Sequence, residues 1–215
     1  MKLIYLLVTA SAVIFCGCFS VLTICDLPDS KVVAPVKDYS NEKGKELALK
    51  YERDLNLLIP KIHRKFSCSD LQFMKNSGLY FGYMNEDPGK SPYLVINMFS
   101  TTIWNIYRLD FASRYSTAFL QFGRTLLSAG MDADFMKDTL ISGICISLQW
   151  SKKDFWDEYS SSEAERFSIW STTENIKDFL NNKISNQQFV NRAIILGYQG
   201  KVDLGIIELD LQKGM

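Results

Sequence analysis

The sequence predicts an α+β fold: a mostly antiparallel sheet built from consecutive strand pairs, with helices packed on one face, preceded by an N-terminal hydrophobic segment. Three observations predict this class. The expected elements follow in the order ααββαββααββ, so strands come in pairs instead of alternating singly with helices. Turn-forming residues separate the two strands of the first and last pairs. Between the strand pairs, apolar residues recur at the spacing of a helix.

The first two helices are predicted within residues 40–78. Ser40 can cap the first helix, and Pro60 ends or kinks it. Ser69 begins a short second helix, which runs through Phe73 and stops near Gly78. The first helix buries a face of side chains at helical spacing, namely Leu47, Tyr51, Leu55, Leu58 and Ile62.

A hairpin and a long helix come next. Residues 79–84 and 93–99 have the pattern of strands, and the turn-forming residues 85–90 join them. The long helix that follows ends at Ala129-Gly130. Its buried face consists of Phe111, Tyr115, Phe119, Phe122 and Leu126.

The last third of the chain contains four strands and two helices. Residues 144–150 alternate apolar and polar side chains, which is typical of a strand with one buried face, and residues 166–171 form a shorter strand. Thr173 caps one helix, and Ser185 with Gln188 forms a capping box for another. A closing hairpin follows, with strands in residues 194–198 and 202–211 and a turn at Gln199-Gly200.

Composition indicates a globular protein. The chain has 215 residues, of which 47% are hydrophobic and 22% charged, and the part after residue 39 suits one domain of roughly 175 residues. Lys and Arg total 24, and Asp and Glu also total 24. Proteins that bind nucleic acid usually carry an excess of basic residues, so the balanced charge argues against a nucleic-acid partner. The densest basic run, residues 61–65, has the pattern of a solvated helix face.

The N-terminal segment predicts export. Residues 3–25 contain no charged residue, with Lys2 before them and Asp26 after them. A helix of this length could cross the ~30 Å hydrocarbon core of a membrane. The one flanking cation lies on the N-terminal side, so the N-terminus stays in the cytoplasm and the rest of the chain lies outside it. We therefore expect residues 1–25 to act as a signal or membrane anchor.

The fate of this segment has three alternatives. The tetrapeptide Phe15-Cys16-Gly17-Cys18 resembles a bacterial lipoprotein processing box, which implies lipid attachment at Cys18. The segment could also stay as an uncleaved anchor, or be removed as a simple signal peptide. The favoured alternative is lipidation at Cys18, and the lack of an N-x-S/T acceptor site fits a bacterial source.

The sequence assigns residues 26–39 to a linker and residues 40–215 to a single globular domain. Pro28, Pro35 and scattered charges predict an extended chain between anchor and domain. Fully stretched, such a linker could hold the domain up to ~45 Å from the membrane.

No motif predicts catalysis, a cofactor or a metal site. His63 is the only histidine, and it lies in a charged stretch without a nucleophile motif. Ser40 and Lys43 match S-x-x-K, but the companion motifs of penicillin-binding enzymes are missing. Cys68 and Cys145 could form a disulfide, but a buried thiol within a strand is the preferred interpretation of Cys145. The acidic residues at 132–138 and 154–158 are interpreted as solvated loop acids.

Tryptophan and arginine side chains near the middle helix are the candidate binding residues. Trp, Tyr and Arg dominate the energetics of many protein interfaces. We select Trp104, Arg108, Arg114 and Trp156 as a candidate binding surface, with Trp156 the best candidate for exposure. An i,i+4 ion pair between Asp110 and Arg114 offers a structural explanation for that arginine.

The functional hypothesis is an exported, membrane-tethered interaction or ligand-binding module of the bacterial cell envelope. Its predicted partners are the membrane, through the N-terminal segment or a lipid, and an envelope protein. One alternative is an envelope hydrolase that uses carboxylate or Ser-Lys chemistry not visible from spacing. Another is a subunit that is stable only within a larger membrane complex, which would require a large exposed apolar patch.

Overall fold

The computed structural model describes residues 31–66, 70–84, 91–106, 108–153 and 163–211. The hydrophobic segment, Cys18, Cys68 and Trp156 lie outside these residues, so the predictions that concern them stay predictions. Among the described residues, no helix has the length and apolar character needed to span a membrane.

The described elements form a mixed α+β structure, as predicted. The helices are α1 (Glu42–Lys50), α2 (Glu52–His63), α3 (Phe111–Ala118), α4 (Arg124–Met131), α5 (Thr173–Leu180) and α6 (Asn186–Arg192). The strands are β1 (Leu71–Phe73), β2 (Leu79–Gly82), β3 (Tyr93–Asn105), β4 (Gly143–Lys153), β5 (Glu163–Thr172), β6 (Ile194–Gln199) and β7 (Val202–Ile206). A π-helical turn, Phe119–Gly123, joins α3 to α4, so the two continue one another.

All seven strands belong to one sheet, in the order β1-β3-β4-β5-β6-β7, and β2 pairs with β3 on the same side as β1. The pairing is antiparallel everywhere except between β3 and β4, which are parallel. The prediction of a mostly antiparallel sheet is therefore confirmed. The parallel pair is possible because α3 and α4 return the chain to the end of the sheet where β3 began.

The core lies on one face of this sheet. Tyr115 packs against Trp150 and Phe167, with ring centroids 5.0 and 5.6 Å away. Further along the same helical run, Phe119 stacks on Phe189 of α6 at 5.7 Å. Strand residues that alternate with the core positions are on the opposite face, and among them Val95 and Cys145 are also buried.

Several predicted boundaries differ from the structure. Asn41 caps α1, because its side chain accepts a hydrogen bond from the Gly44 amide at 2.6 Å, so the predicted Ser40 cap is wrong by one residue. Pro60 lies within α2 and does not end it. Similarly, Thr172, not Thr173, caps α5 by accepting from the Asn175 amide. The capping box of Ser185 and Gln188 is confirmed.

The predicted helix that contains Phe73 is a strand in the structure. Leu71 and Phe73 are buried and Gln72 is half-buried, which is the period-two pattern of β1. β3 extends to Asn105, beyond the predicted end at residue 99, and its residues 98–100 offer backbone partners to β1. Tertiary pairing therefore overrides the local helical signal.

The described part of the predicted linker packs against the sheet. Val32 is fully buried, and Val33 forms a parallel bridge with Leu79 of β2. The Ala34 amide donates to the Leu79 carbonyl at 3.0 Å. Two adjacent valines make this segment apolar enough to cover the edge of β2, so residues 32–34 pack against the sheet.

Candidate binding surface

Two of the four residues selected from the sequence are buried. Trp104 is 7% exposed and its ring centroid lies 6.1 Å from that of Trp150, while Arg114 is 4% exposed. Arg108 is exposed, and Trp156 lies outside the described residues. The structure therefore does not join the three described residues into one exposed surface.

Arg114 forms an ion pair with Glu165, not with the predicted partner Asp110. Its Nε donates to Glu165 Oε2 at 2.7 Å and its Nη2 to Oε1 at 2.6 Å, which is a bidentate arrangement. Asp110 instead caps α3 by accepting from the Ser113 amide at 2.8 Å. The selected arginine is thus part of an interaction that connects α3 to β5.

The environment of Glu165 compensates fully for its burial. Trp150 Nε1 donates to Oε2 at 2.9 Å, and Lys152 Nζ lies 3.5 Å from Oε1 and 3.2 Å from Glu163 Oε2. Burial alone would raise the pKa of Glu165, but hydrogen bonds from Arg114 and Trp150 and the two nearby cations lower it below its ordinary value. Two cations balance two carboxylates, so the group leaves no net charge for a ligand.

The face of the sheet opposite the core, here called the open face, is the better candidate for a binding surface. The strand register places its residues in rows that cross the sheet. One row contains Tyr80, Val95, Cys145, Trp170 and Ile194. The next contains Asn97, Ser147, Ser168, Leu196 and Ile206, and a third contains Phe99, Gln149, Arg166, Tyr198 and Asp203.

One half of the open face is apolar. Trp170 pairs across the strands with Ile194, and Leu196 pairs with Ile206. Tyr93 reaches Trp170 over the intervening β4, with ring centroids 5.3 Å apart and planes at 88°. Ile206 is 74% exposed and Ile194 is 38% exposed. We call these five residues the apolar patch, and a contiguous patch of this kind is typical of an interaction site.

The other half of the open face carries an arginine–tyrosine cluster formed by Tyr80, Arg166 and Tyr198. The guanidinium of Arg166 lies 4.2 Å from the centre of the Tyr198 ring, in a cation–π contact. Burial raises the pKa of Tyr80 to about 12, with a smaller contribution from Cys145. The Tyr80 hydroxyl therefore stays protonated and can donate a hydrogen bond at neutral pH.

Small residues lie beneath these large side chains. Cys145 is 0% exposed and is a free thiol, and burial raises its pKa well above the ordinary value. Two polar atoms of the open face, Asn97 Oδ1 and Trp170 Nε1, are buried without a hydrogen-bond partner among the described residues. An unsatisfied buried polar group costs about 1–3 kcal/mol of folding free energy, so these two atoms of the open face reduce the stability of the domain.

The chain matches no protein-family model, no curated protein and no solved structure.

An open cleft of about 360 Å³ adjoins the open face at the edge of β2. Tyr39, Tyr80 and Tyr83 contribute to its lining, together with Ser40. The Tyr39 hydroxyl accepts a hydrogen bond from the Phe81 amide at 3.2 Å, and burial raises the pKa of Tyr39 to about 12. The cleft therefore presents phenol groups that can form hydrogen bonds and ring contacts, together with the acidic side chain of Asp38.

His63 lies at the end of α2 with its ring 5.1 Å from that of Phe73. Asp138 is not the solvated loop acid that the sequence predicts: its side chain is 12% exposed and accepts hydrogen bonds from Lys50 at 2.9 Å and from Tyr51 at 2.7 Å. Within the described ranges, no group of three or more His, Cys, Asp or Glu side chains is close enough to hold a metal ion.

Sequence reasoning missed most of the open face. The alternation in residues 166–171 shows that Arg166, Ser168 and Trp170 share one face, but not that the helices cover the other one. Ile194 and Ile206 belong to the predicted closing hairpin, and their exposure follows only from the strand order. The sequence feature that could have indicated this surface is the presence of apolar residues on both faces of the closing hairpin.

Proposed function

We propose that this chain is an exported, membrane-tethered binding module of the bacterial cell envelope, and that the open face of its sheet docks a partner protein. The observation that carries the proposal is the apolar patch on a face that the described helices leave uncovered. Export rests on the uncharged N-terminal segment and on its resemblance to a lipoprotein signal at Cys18.

The shape of the open face favours a protein over a small molecule. Small ligands bind in concave sites that bury most of their surface. The face spans five strand spacings and three rows, which gives a flat area on the order of 400 Å². A standard protein interface buries about 800 Å² on each partner, so the open face would form the central part of such an interface.

The chemistry of the open face also fits a protein partner. Aromatic and aliphatic residues form the apolar patch, and Arg166 with two tyrosines lies beside it, which is the composition of interface hot spots. Arg166 and Asp203 are charges of opposite sign on the same row, so the face lacks the single-sign field that nucleic acid or an anionic polymer would require.

Site-specific photocrosslinking in intact cells tests the proposal. A benzophenone amino acid replaces Ile206 in the apolar patch or, as the matched control, Leu57 on α2, which is 52% exposed. We expect a discrete crosslinked protein from position 206 and none from position 57. The crosslink should also decrease at least about tenfold when Arg166→Glu is added, because the substitution removes a hot-spot arginine and its contact with the Tyr198 ring.

Equal crosslinking from both positions, or none from position 206, would contradict the proposal. Circular dichroism of each variant establishes that the domain stays folded. Such a control is needed because Arg166 also contacts the Tyr198 ring.

A further inference from the structure

The cleft at the edge of β2, here called the tyrosine cleft, combines two segments that are distant in the sequence. Its described lining consists of Ala34 with residues 38–41, which precede α1, and of residues 80–83, which include the end of β2. Its volume of about 360 Å³ lies within the range of small-molecule sites, about 300–1,000 Å³. A small ligand therefore fits in this cleft, although it would not be enclosed by the flat open face beside it.

Two tyrosine rings of the cleft pack directly against glycine residues. A Cβ atom at Gly82 would lie 2.8 Å from Cε2 of Tyr80, and a Cβ atom at Gly44 would lie 3.1 Å from Cδ1 of Tyr39. Both distances are shorter than the ~3.5–4.0 Å of an ordinary contact between carbon atoms. A side chain at either glycine would therefore displace the neighbouring ring, so the backbone at these two places determines where the rings lie.

The same lining is rich in hydroxyl groups. The Tyr83 hydroxyl is buried without a hydrogen-bond partner among the described residues. The Tyr39 hydroxyl accepts a hydrogen bond from Phe81 and can donate its own proton to another acceptor. Burial raises the pKa of Tyr83, with a smaller contribution from Glu46, so this phenol also stays protonated at neutral pH. The cleft thus offers several hydroxyl groups that both donate and accept hydrogen bonds.

Asp38 carries the only charge in the described lining of the cleft. Its side chain is exposed, as is that of Ser40, so a ligand can reach both groups. A carboxylate without a neighbouring cation in the lining opposes the binding of an anion, but it can accept hydrogen bonds from two hydroxyl groups at once. The electrostatics of the cleft therefore favour a neutral ligand with several hydroxyl groups over an acidic ligand.

We propose that the tyrosine cleft is a binding site for a neutral mono- or disaccharide. The sugar hydroxyls would donate to Asp38 and accept from the tyrosine hydroxyls, and the C–H groups of the sugar ring would contact the electron-rich face of a tyrosine ring. A ligand hydroxyl beside Tyr83 would also supply the partner that its buried oxygen lacks. This site is separate from the apolar patch and does not depend on the proposed partner protein.

Isothermal titration calorimetry tests this proposal directly. The full-length protein is kept in a polyoxyethylene detergent, which has neither a sugar nor a charged headgroup. The probes are glucose, galactose, N-acetylglucosamine and maltose, with choline as a cationic probe, because a carboxylate and aromatic rings could also attract an organic cation. We expect a Kd of about 1 mM or lower for at least one of the sugars, and binding of choline that is at least about tenfold weaker.

Four variants show whether the sugar binds in the tyrosine cleft. Tyr83→Phe should weaken binding of the sugar at least about threefold, and Asp38→Ala at least about tenfold, because a hydrogen bond to a charged group contributes more. The matched controls are Tyr93→Phe and Glu174→Ala, which remove the same kinds of group outside the cleft. Tyr93 is half-buried on the open face and Glu174 is exposed on α5, so neither change should affect binding.

Urea unfolding of the ligand-free protein separates a direct contact from a structural role of Tyr83. Because its hydroxyl is buried without a partner among the described residues, Tyr83→Phe should leave the stability unchanged or raise it. Weaker binding together with lower stability would contradict a direct contact. Absence of sugar binding, tighter binding of choline than of every sugar, or equal losses in the control variants would overturn the proposal.

The two proposals can fail separately. If position 206 crosslinks to a protein in cells but the sugars do not bind, the partner surface stands and the saccharide site fails. If a sugar binds and Asp38→Ala weakens it but position 206 gives no crosslink, the saccharide site stands and the partner surface fails.

Discussion

The guanidinium of Arg114 and the carboxylate of Glu165 are joined by two parallel hydrogen bonds across 51 residues of sequence. The Glu165 side chain is fully buried and that of Arg114 is 5% exposed. This ion pair connects α3 to β5 at the side of the core where Trp150 donates a third hydrogen bond. Both side chains are almost completely removed from water, so each charge needs a partner of opposite sign.

Removing the charge of Glu165 should destabilise the domain strongly. Glu165→Gln leaves Arg114 buried without a counterion, and breaking a buried pair in this way costs about 3–5 kcal/mol. Glu163→Gln is the matched control, because Glu163 contacts the same Lys152 but its side chain is 58% exposed. That change should cost less than about 1 kcal/mol. Urea unfolding of the full-length variants in detergent measures the loss of stability in each. Equal losses in Glu165→Gln and Glu163→Gln would contradict the role assigned to the ion pair of Arg114 and Glu165.

Gly143 is at a position where a side chain does not fit. A Cβ atom there would overlap the backbone oxygen of Ser171 and lie 2.8 Å from Thr172 Cα. Gly143→Ala should therefore displace the start of β4 and cost about 3 kcal/mol or more. Gly200→Ala is the comparison: Gly200 has φ +58° and open space around it, so only the backbone penalty of about 1–2 kcal/mol applies. Thermal unfolding compares the loss of stability in the two variants. A smaller loss in Gly143→Ala than in Gly200→Ala would refute the steric argument.

Asp138 should make stability depend on acidic pH. Its hydrogen bonds with Lys50, the Leu140 amide and Tyr51 lower its pKa from 3.8 to about 2. A carboxyl whose pKa is lower in the folded state stabilises the fold above pH 4, and this contribution disappears as the pH falls toward 2. Asp138→Asn should therefore flatten the decline in stability between pH 4 and pH 2. Urea unfolding at a series of pH values measures the free energy of unfolding of the unmodified protein and of Asp138→Asn. An identical dependence of this free energy on pH in the two proteins would exclude the contribution.

Cys145 should react with thiol reagents only after unfolding. It is 0% exposed, and burial raises the pKa of its thiol well above the ordinary value, which keeps it in the unreactive protonated form. We expect labelling by iodoacetamide at pH 8 to be at least about a hundredfold slower in native protein than in 8 M urea. Mass spectrometry of the peptide that contains Cys145 separates its signal from that of the other cysteines. Rapid labelling of the native protein would show that the open face does not cover this thiol.

Local signals in the sequence predicted the elements that depend on neighbouring residues. The capping box of Ser185 and Gln188 spans four residues, and the closing hairpin turns at Gly200 with φ +58°. Both features are set by backbone geometry within a few positions. The paired strands and the mixed α+β class follow from such local patterns.

Features set by distant residues were not predictable in the same way. The partner of Arg114 could have been Asp110 by helical spacing, and only the packing of α3 on β5 identifies Glu165 instead. The strand at Leu71–Phe73 exists because it pairs with residues 98–100 of β3, which lie far along the chain. Which face of the sheet the helices cover is likewise a tertiary property, so the apolar patch could not be located from alternation alone.

The parallel contact between β3 and β4 has a consequence for how the domain folds. The strands beside it pair with close neighbours along the chain, but this contact joins segments separated by residues 106–142. Bringing distant segments together costs loop-closure entropy, so we expect the middle of the sheet to form after its outer hairpins. Pulse-labelling of amides with deuterium during refolding would then show β6 and β7 protected earlier than the β3–β4 seam. Until that seam closes, two half-sheets with uncovered inner edges would coexist, and mispairing between molecules would be most frequent at this stage.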